Sequence, residues 1–160
     1  MFIPRGRTAA LPLALSLIAS SLLGTAAFAG GCPAGNVVEK DGQKPGATAH
    51  KGVEEKILGS IDLSKEKVNI PGRMLRVRRL VVQPGVEVAW HSHEDRPALI
   101  YVTEGAITEY SSHCSVPIEH QAGDLSVESG GLSHWWKNNT KKPVTLLSSD
   151  LAASPDEHNM

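Results

Sequence analysis

The pattern of apolar and polar positions changes twice along the chain, near residue 30 and near residue 53. An apolar leader comes first and a polar segment follows. From Arg73 onward, short β-branched and apolar runs alternate with turns marked by Gly, Pro and Asn. Such short, regularly spaced strands predict an all-β sandwich or barrel, and no segment has the capped 3.6-residue period of a long helix. The predicted strands are 74–82, 86–93, 99–103, 106–110, 124–128, 133–137 and 144–151.

The leader, residues 1–29, has the order of a secretory signal peptide. Two arginines precede an apolar run, and Ala27-Phe28-Ala29 supplies a small-x-small cleavage motif. We expect cleavage after Ala29 and a mature protein in the periplasm or outside the cell. The apolar run is short for a membrane helix, which needs about 20 residues. A retained membrane anchor and a lipid on Cys32 are therefore the weaker alternatives to cleavage. The two arginines are not adjacent, which excludes a twin-arginine signal and predicts export of an unfolded chain.

Three further segments follow the leader. Residues 30–52 are rich in Gly, Pro, Lys and Ala, which predicts a flexible arm. One barrel domain is expected over 53–152 and a polar tail over 153–160, because the remaining length suits one domain and not two. The first part of the domain, 53–61, fits a strand or a short helix equally well, and 111–122 is predicted to be a loop.

The chain has two cysteines, Cys32 and Cys114. In an oxidising compartment such a pair can form a disulfide, which would fasten the arm to a barrel loop. Their separation along the sequence does not give their distance in space, so the disulfide stays open at this point. A role for Cys114 as a metal ligand is the weaker alternative, because it lies away from the histidine motifs.

The charge distribution narrows the choice of partners. Sixteen basic and seventeen acidic residues give a net charge of −1 at pH 7, and the basic residues form no block. Nothing in this balance indicates a nucleic acid or an anionic membrane surface as the partner. We therefore expect a small-molecule ligand or substrate, and no membrane association once the leader is removed.

Two histidines carry the first chemical signal. His91 and His93 are two residues apart in a predicted strand, so their side chains lie on the same face. Their Cα atoms are then about 7 Å apart, near enough for both rings to reach one metal ion through bonds of about 2.0–2.1 Å. Alone, a His-x-His pair is a weak signal, because surface hairpins carry it by chance.

A second motif gives this pair more weight. The two motifs are Gly85-x5-His91-x-His93 with Gly105 further on, and Gly123-x5-Ser129-x-Gly131-x2-His134-x3-Asn138. Over Arg73 to Asp150 they resemble the paired motifs of the cupin superfamily. The resemblance implies a cupin jelly-roll β-barrel with a metal inside its mouth, His134 as the third ligand, and a homodimer.

The resemblance breaks at one metal ligand. Counted back from Gly105, the family's metal-binding Glu falls at Ala98, and a methyl group cannot bind a metal. The expected site therefore has three histidines and open positions for water, oxygen or a bidentate substrate, as in some cupin dioxygenases. Glu94 and Asp95, in the loop after His93, are weaker candidates for a fourth ligand.

The ligand set limits the metal without selecting it. Three imidazoles suit one divalent transition metal, and Fe, Zn, Cu, Ni and Mn all stay open. Affinities generally rise from Fe(II) to Cu(II), with Zn(II) above Fe(II). A chain that folds after export is therefore expected to carry mostly zinc or copper, or to be partly empty.

Several residues near the motifs are candidates for the pocket. Trp136 lies two positions after His134, on the same face, and is predicted either to line the pocket or to pack in the core. Arg96 is either a clamp for a carboxylate near the vacant Glu position at Ala98 or a solvated loop residue. Tyr101, Trp90 and Trp135 are predicted to face away from the site, and His113 and His120 to be exposed in loops.

Two functions fit these features. The first is an exported Fe(II)-type dioxygenase of a small aromatic or dicarbonyl substrate, with the three-histidine metal site at its centre. The second is a non-catalytic periplasmic protein that binds or senses a metal or a small metabolite. The open coordination sphere favours the enzyme, whereas the lack of a clear general acid or base favours the binder.

Overall fold

In a computed structural model that describes residues 30–46, 52–154 and 157, the chain folds into two antiparallel sheets. The expected all-β jelly roll is confirmed, and the described residues contain no helix. No helix long and apolar enough to cross a membrane occurs in that part of the chain. The nine strands are β1 (Val53–Asp62), β2 (Met74–Val82), β3 (Glu87–Ser92), β4 (Ala98–Glu104), β5 (Ala106–Ser111), β6 (Ile118–Gln121), β7 (Leu125–Glu128), β8 (Ser133–Lys137) and β9 (Val144–Ala152).

The strand order places both motifs inside one sandwich. The five-stranded sheet has the order β1-β2-β9-β4-β7 and the four-stranded sheet the order β3-β8-β5-β6. The ambiguous segment 53–61 is a strand, paired with β2. The predicted loop 111–122 contains β6, because alternating burial from Ile118 to Gln121 fits an edge strand that pairs with β5. The predicted signal segment, 1–29, lies outside the described residues.

The inward side chains of the five-stranded sheet change from apolar to charged along the barrel. Successive Cα partners in β2 and β9 are Val82–Val144, Leu80–Leu146, Arg78–Ser148 and Arg76–Asp150. All eight are buried. Val82, Val102, Ile107 and Val144 belong to the hydrophobic core, and we call their part of the interior the apolar end. The opposite part, which holds the arginines and the histidine motifs, is the polar end.

The N-terminal arm lies on the barrel over its described part, 30–46. Cys32 and Cys114 form a disulfide, with their Cα atoms 5.7 Å apart. The backbone N–H of Gln43 donates to Ser111 at 2.8 Å, and the indole Nε1 of Trp135 donates to the Lys44 carbonyl at 3.1 Å. The composition predicts a flexible arm, but these bonds attach it along the four-stranded sheet.

The outer face of the five-stranded sheet leaves several large apolar side chains exposed. Leu99, Tyr101, Leu125 and Val127 are 43–64% exposed, and they face one another across β4 and β7. Tyr101 thus faces away from the interior, as predicted from the alternation of side chains along the strand. A homodimer of the kind that the resemblance implies would cover such a face, and the dimer itself stays a prediction.

Candidate metal centre

The pairing of β3 with β8 brings the two histidine motifs together. His91 is the Cα partner of His134, so their side chains lie side by side on the inward face. The backbone N–H of His93, just after β3, donates to the Leu132 carbonyl at 2.7 Å, which keeps the chain next to β8. His134 and His93 are 0% and 3% exposed, while His91 is half-buried. All three predicted histidines therefore meet at one point of the polar end.

A buried carboxylate completes the group. The ligand atoms of His91, His93, His134 and Glu128 all lie within 4.8 Å of one another, and Glu128 is 1% exposed. The expectation that no fourth protein ligand exists is therefore wrong. Ala98, the predicted Glu position, is the Cα partner of Glu128 across β4 and β7. The carboxylate is supplied by the neighbouring strand, on the face that Ala98 also occupies.

The spacing of the ligand atoms fits one transition-metal ion. The Nε2 of His134 lies 3.1 Å from the Nε2 of His91 and 3.1 Å from the Nε2 of His93. The Glu128 carboxylate approaches His93 Nε2 to 3.0 Å and His134 Nε2 to 3.6 Å. Bonds of about 2.0–2.1 Å separate neighbouring ligand atoms by about 3.0 Å in an octahedron and about 3.4 Å in a tetrahedron. The observed distances cover this range.

The opposite nitrogen of each ring fixes the tautomer that a metal needs. The Nδ1 atoms of His91 and His93 lie 2.8 Å and 2.7 Å from the carbonyl oxygens of Ala89 and Arg96. A carbonyl oxygen can only accept, so each Nδ1 carries the hydrogen and a neutral ring turns the lone pair of Nε2 to the centre. Such hydrogen bonds orient histidine ligands in metal sites.

The same atoms repel one another without a cation between them. Lone pairs and a carboxylate converge at the centre, and the Oε1 of Glu128 is buried with no hydrogen-bond partner among the described residues. A buried carboxylate oxygen without a partner is strongly unfavourable. A divalent ion at the centre would satisfy this oxygen and all three Nε2 atoms, so the residues fit a metal.

Electrostatics at the two paired histidines agree with this arrangement. Burial and the neighbouring His134 ring lower the pKa of His91 to about 2, which keeps it a neutral ligand. Burial also lowers the pKa of His134, but the carboxylates of Glu128 and Glu109 outweigh burial and raise it. The surroundings of His134 thus attract a positive charge, which a metal ion would supply.

Known families and structures match the same part of the chain. The family model described as "Cupin domain" matches residues 78–150. An uncharacterized conserved protein with a double-stranded beta-helix domain from Klebsiella pneumoniae subsp. pneumoniae aligns with 66% of this chain and 82% of its own. The TM-score is 0.52 and the identity 16%. Residues 78–150 form a cupin domain.

Two further solved structures share the fold of this cupin. An RmlC-like cupin from Shewanella frigidimarina aligns with 72% of this chain and 87% of its own, at a TM-score of 0.50 and 15% identity. The cupin domain of Cnp3 from Schizosaccharomyces pombe aligns with 64% of this chain and 66% of its own, at a TM-score of 0.50 and 14% identity. At such identities the likeness is one of fold. No curated protein sequence matches this cupin.

A second buried carboxylate orients the central histidine of the cupin. Glu109, on β5, accepts from His134 Nδ1 at 2.7 Å and from His120 Nε2 at 2.8 Å. Burial raises the pKa of Glu109, but these two hydrogen bonds outweigh burial and lower it to about 2. His120 is 1% exposed, so its prediction as an exposed loop residue is wrong. It lies on β6, and its ring centroid is 4.5 Å from that of Trp136.

The cavity beside the metal ligands is small and mostly apolar. Its volume is about 20 Å³, room for about one water molecule next to an ion. Trp136 is 3% exposed and lines the cavity, so it faces inward, as its parity predicts. Arg96 is 4% exposed and also lines it, which contradicts the reading as a solvated loop residue. Ala98 belongs to the core cluster and does not line this cavity.

The remaining predicted residues lie away from the centre. Glu94 and Asp95 are exposed and are not among the grouped ligand atoms. Trp135 stacks on Tyr110, with ring centroids 4.0 Å apart. The sequence contains a signal for Glu128 that the motif count did not use. Along β7, Ser126 and Glu128 face inward, and an acidic residue at an inward position of the strand that precedes His134 in the sequence is a candidate ligand.

Proposed function

We propose that this cupin is an exported metal-dependent enzyme of the dioxygenase class, acting on a small substrate bound beside the metal. One observation carries the proposal: three histidines and a carboxylate converge on one point that opens into a lined cavity. Four protein ligands leave two positions of an octahedron for substrate and oxygen. Among small aromatic and dicarbonyl compounds, the small cavity favours the smallest members.

Each residue of the centre has a separate role in this proposal. A redox-active divalent metal would supply substrate polarisation and electron transfer. His91, His93, His134 and Glu128 would hold it, and Glu109 keeps His134 in the tautomer that presents Nε2. Trp136 and the apolar lining exclude bulk water from the centre.

The composition of the cavity wall favours metal chemistry over acid–base chemistry. Apart from the proposed ligands, the ionisable side chains among the lining residues are Arg78 and Arg96. Arginine stays protonated in proteins and does not serve as a general base near neutral pH. A reaction driven by the metal needs no further proton carrier on the wall.

Two features support export. The leader has the signal-peptide order, and the chain's two cysteines are joined in a disulfide. Disulfides persist in oxidising compartments and are rare in the cytosol. Sequencing the N-terminus of protein recovered from the periplasm or the medium tests this, with Gly30 as the expected first residue. An intact leader on recovered protein would contradict it.

A non-catalytic metal-binding role is the second candidate, favoured by the small cavity of about 20 Å³. Elemental analysis and oxygen uptake separate the two functions. Protein isolated from its own compartment is expected to carry mostly zinc or copper, and anaerobic loading with Fe(II) should then give oxygen uptake with some of the smaller diketones or catechols. His91→Ala serves as the control without a complete centre. One iron per chain with no uptake over the whole panel would leave the binding role.

A further inference from the structure

One wall of the cavity is polar without belonging to the metal centre. Arg78, Arg96 and Ser148 line the same cavity as His91 and Glu128. Arg78 and Ser148 lie on paired strands of the five-stranded sheet, and Arg96 lies in the loop before β4. We call these three residues the arginine wall.

The arginine wall shares a single buried carboxylate with a third arginine. Asp150 accepts from Arg76 twice, Nε to Oδ1 at 3.1 Å and Nη2 to Oδ2 at 2.9 Å. Arg78 and Arg96 donate to the same Oδ2 at 3.0 Å and 3.2 Å. The side chains of Arg78 and Arg96 are only 2% and 5% exposed. Burial and the nearby charge of Arg78 lower the pKa of Arg96, which reflects this crowding of like charges.

The other carboxylates that approach the cluster do not reach the cavity. Glu55 pairs with Arg78 Nη1 at 3.2 Å, and Glu157 lies 3.9 Å from Arg96 Nε. Neither glutamate lines the cavity. The Nε of Arg78 is buried and has no hydrogen-bond partner among the described residues, a state that costs about 1–3 kcal/mol. Arg78 lines the cavity, so an acceptor that reaches this atom from there would remove that cost.

We propose that the arginine wall binds the carboxylate group of a small carboxylic acid, which is the substrate class of the metal centre. This inference rests on the proposed function. A carboxylate oxygen accepts strongly from a guanidinium N–H, and the Nε of Arg78 is the nitrogen of that group that lacks a partner. Leu80, Leu146 and Trp136 line the rest of the cavity, and its volume of about 20 Å³ limits the bound acid to the smallest carboxylic acids.

Calorimetric titration with acetate tests this site, and acetamide is the neutral probe of the same shape. The titration uses zinc-loaded and metal-free protein, so no turnover is needed. We expect acetate to bind both forms, more tightly with zinc, and acetamide to bind at least about tenfold more weakly, since a hydrogen bond to a charged group contributes about 1.5–3 kcal/mol. Equal binding of the two probes would overturn the proposal.

Two variants and one control assign the binding to the arginine wall. Arg96→Gln removes one charge. Arg78→Lys removes Nε but keeps the charge, so the side chain can still pair with Asp150. Each should weaken acetate binding about 10- to 100-fold while one metal per chain is retained. Arg79→Gln is the matched control, because Arg79 is exposed on the same strand. Unchanged acetate binding in a folded Arg78→Lys protein would overturn the assignment.

Metal content, measured on every sample, separates this proposal from the function on which it rests. Protein that takes up no metal overturns the metal-dependent function, and acetate titration of the metal-free form still decides the carboxylate site. Protein with one metal per chain that does not distinguish acetate from acetamide overturns the carboxylate site alone.

Discussion

The two ends of the barrel interior are formed by the same strands but are stabilised in different ways. At the apolar end, Val82, Val102 and Val144 are 0% exposed, and burial of their side chains is sufficient for stability. At the polar end, arginines, carboxylates, His93 and His134 are buried as well, at 0–4% exposure. Three buried atoms, Arg78 Nε, Glu128 Oε1 and His120 Nδ1, have no hydrogen-bond partner among the described residues, and the first two belong to residues that line the cavity. The apolar end needs no ligand for its stability, whereas buried polar atoms at the polar end lack partners until a ligand binds.

The largest effect should follow from removing the shared carboxylate of the polar end. Asp150→Ala leaves three arginines around an empty position, and breaking a buried ion pair in this way costs about 3–5 kcal/mol. The free energy of unfolding, from urea denaturation followed by circular dichroism, measures the loss. Asp95→Ala, at an exposed loop position, is the control. A loss below about 1 kcal/mol would mean that the arginines do not depend on Asp150.

Acid should weaken the same cluster in the wild-type protein. Burial raises the pKa of Asp150, but the hydrogen bond from Arg76 and the charges of three arginines outweigh burial and lower it from 3.8. Its contribution to stability is therefore present above about pH 3.8 and is lost as the pH falls through the lower pKa of the folded state. Urea midpoints between pH 5 and pH 2 test this. Asp150→Asn should flatten the decline.

The metal centre should respond most strongly to the loss of its central histidine. His134→Ala removes the ring whose Nε2 lies 3.1 Å from both other imidazoles. We expect zinc affinity to fall by more than about 100-fold, because even groups that only orient ligands contribute about 10–100-fold. Competition with a chromogenic chelator measures the affinity. His113→Ala, at a histidine that is not in the ligand group, should leave it unchanged.

A transfer of the carboxylate between strands tests the register of the centre. Glu128→Ala should lower zinc affinity, and adding Ala98→Glu should restore part of it, because residues 98 and 128 are Cα partners on one face. Ala98→Gln in the same Glu128→Ala background is the control without the charge. If the Glu and Gln versions bind zinc equally, Ala98 does not face the metal.

The smallest effect is expected at the apolar end. Ile107→Val removes one buried methylene group and should cost about 0.5–1.5 kcal/mol without changing metal content. Urea denaturation and elemental analysis on the same sample check both statements. A change in metal content would show that the two ends are not independent.

The sequence predicts the fold well because the strands alternate regularly and their turns contain Gly, Pro and Asn. His91, His93 and His134 could be found because their spacing alone places them on one face of two strands. Glu128 and Glu109 could not be found by counting along one motif, because their place at the centre depends on which strands pair. The burial of Arg96 and His120 was also missed, because a loop or edge residue becomes buried only through contacts from distant segments.

The disulfide gives the arm an effect on the unfolded chain as well as on the folded one. Cys32 and Cys114 are 82 residues apart in sequence, so the bond closes a loop that contains both halves of the first histidine motif and five strands. By the chain-entropy relation, such a loop removes about 4.5 kcal/mol of conformational freedom from the unfolded state. A reduced chain lacks this restriction. The reduced chain and the disulfide-bonded chain therefore differ in stability. The first would exist before the chain crosses the membrane, as its leader is expected to direct, and the second after it.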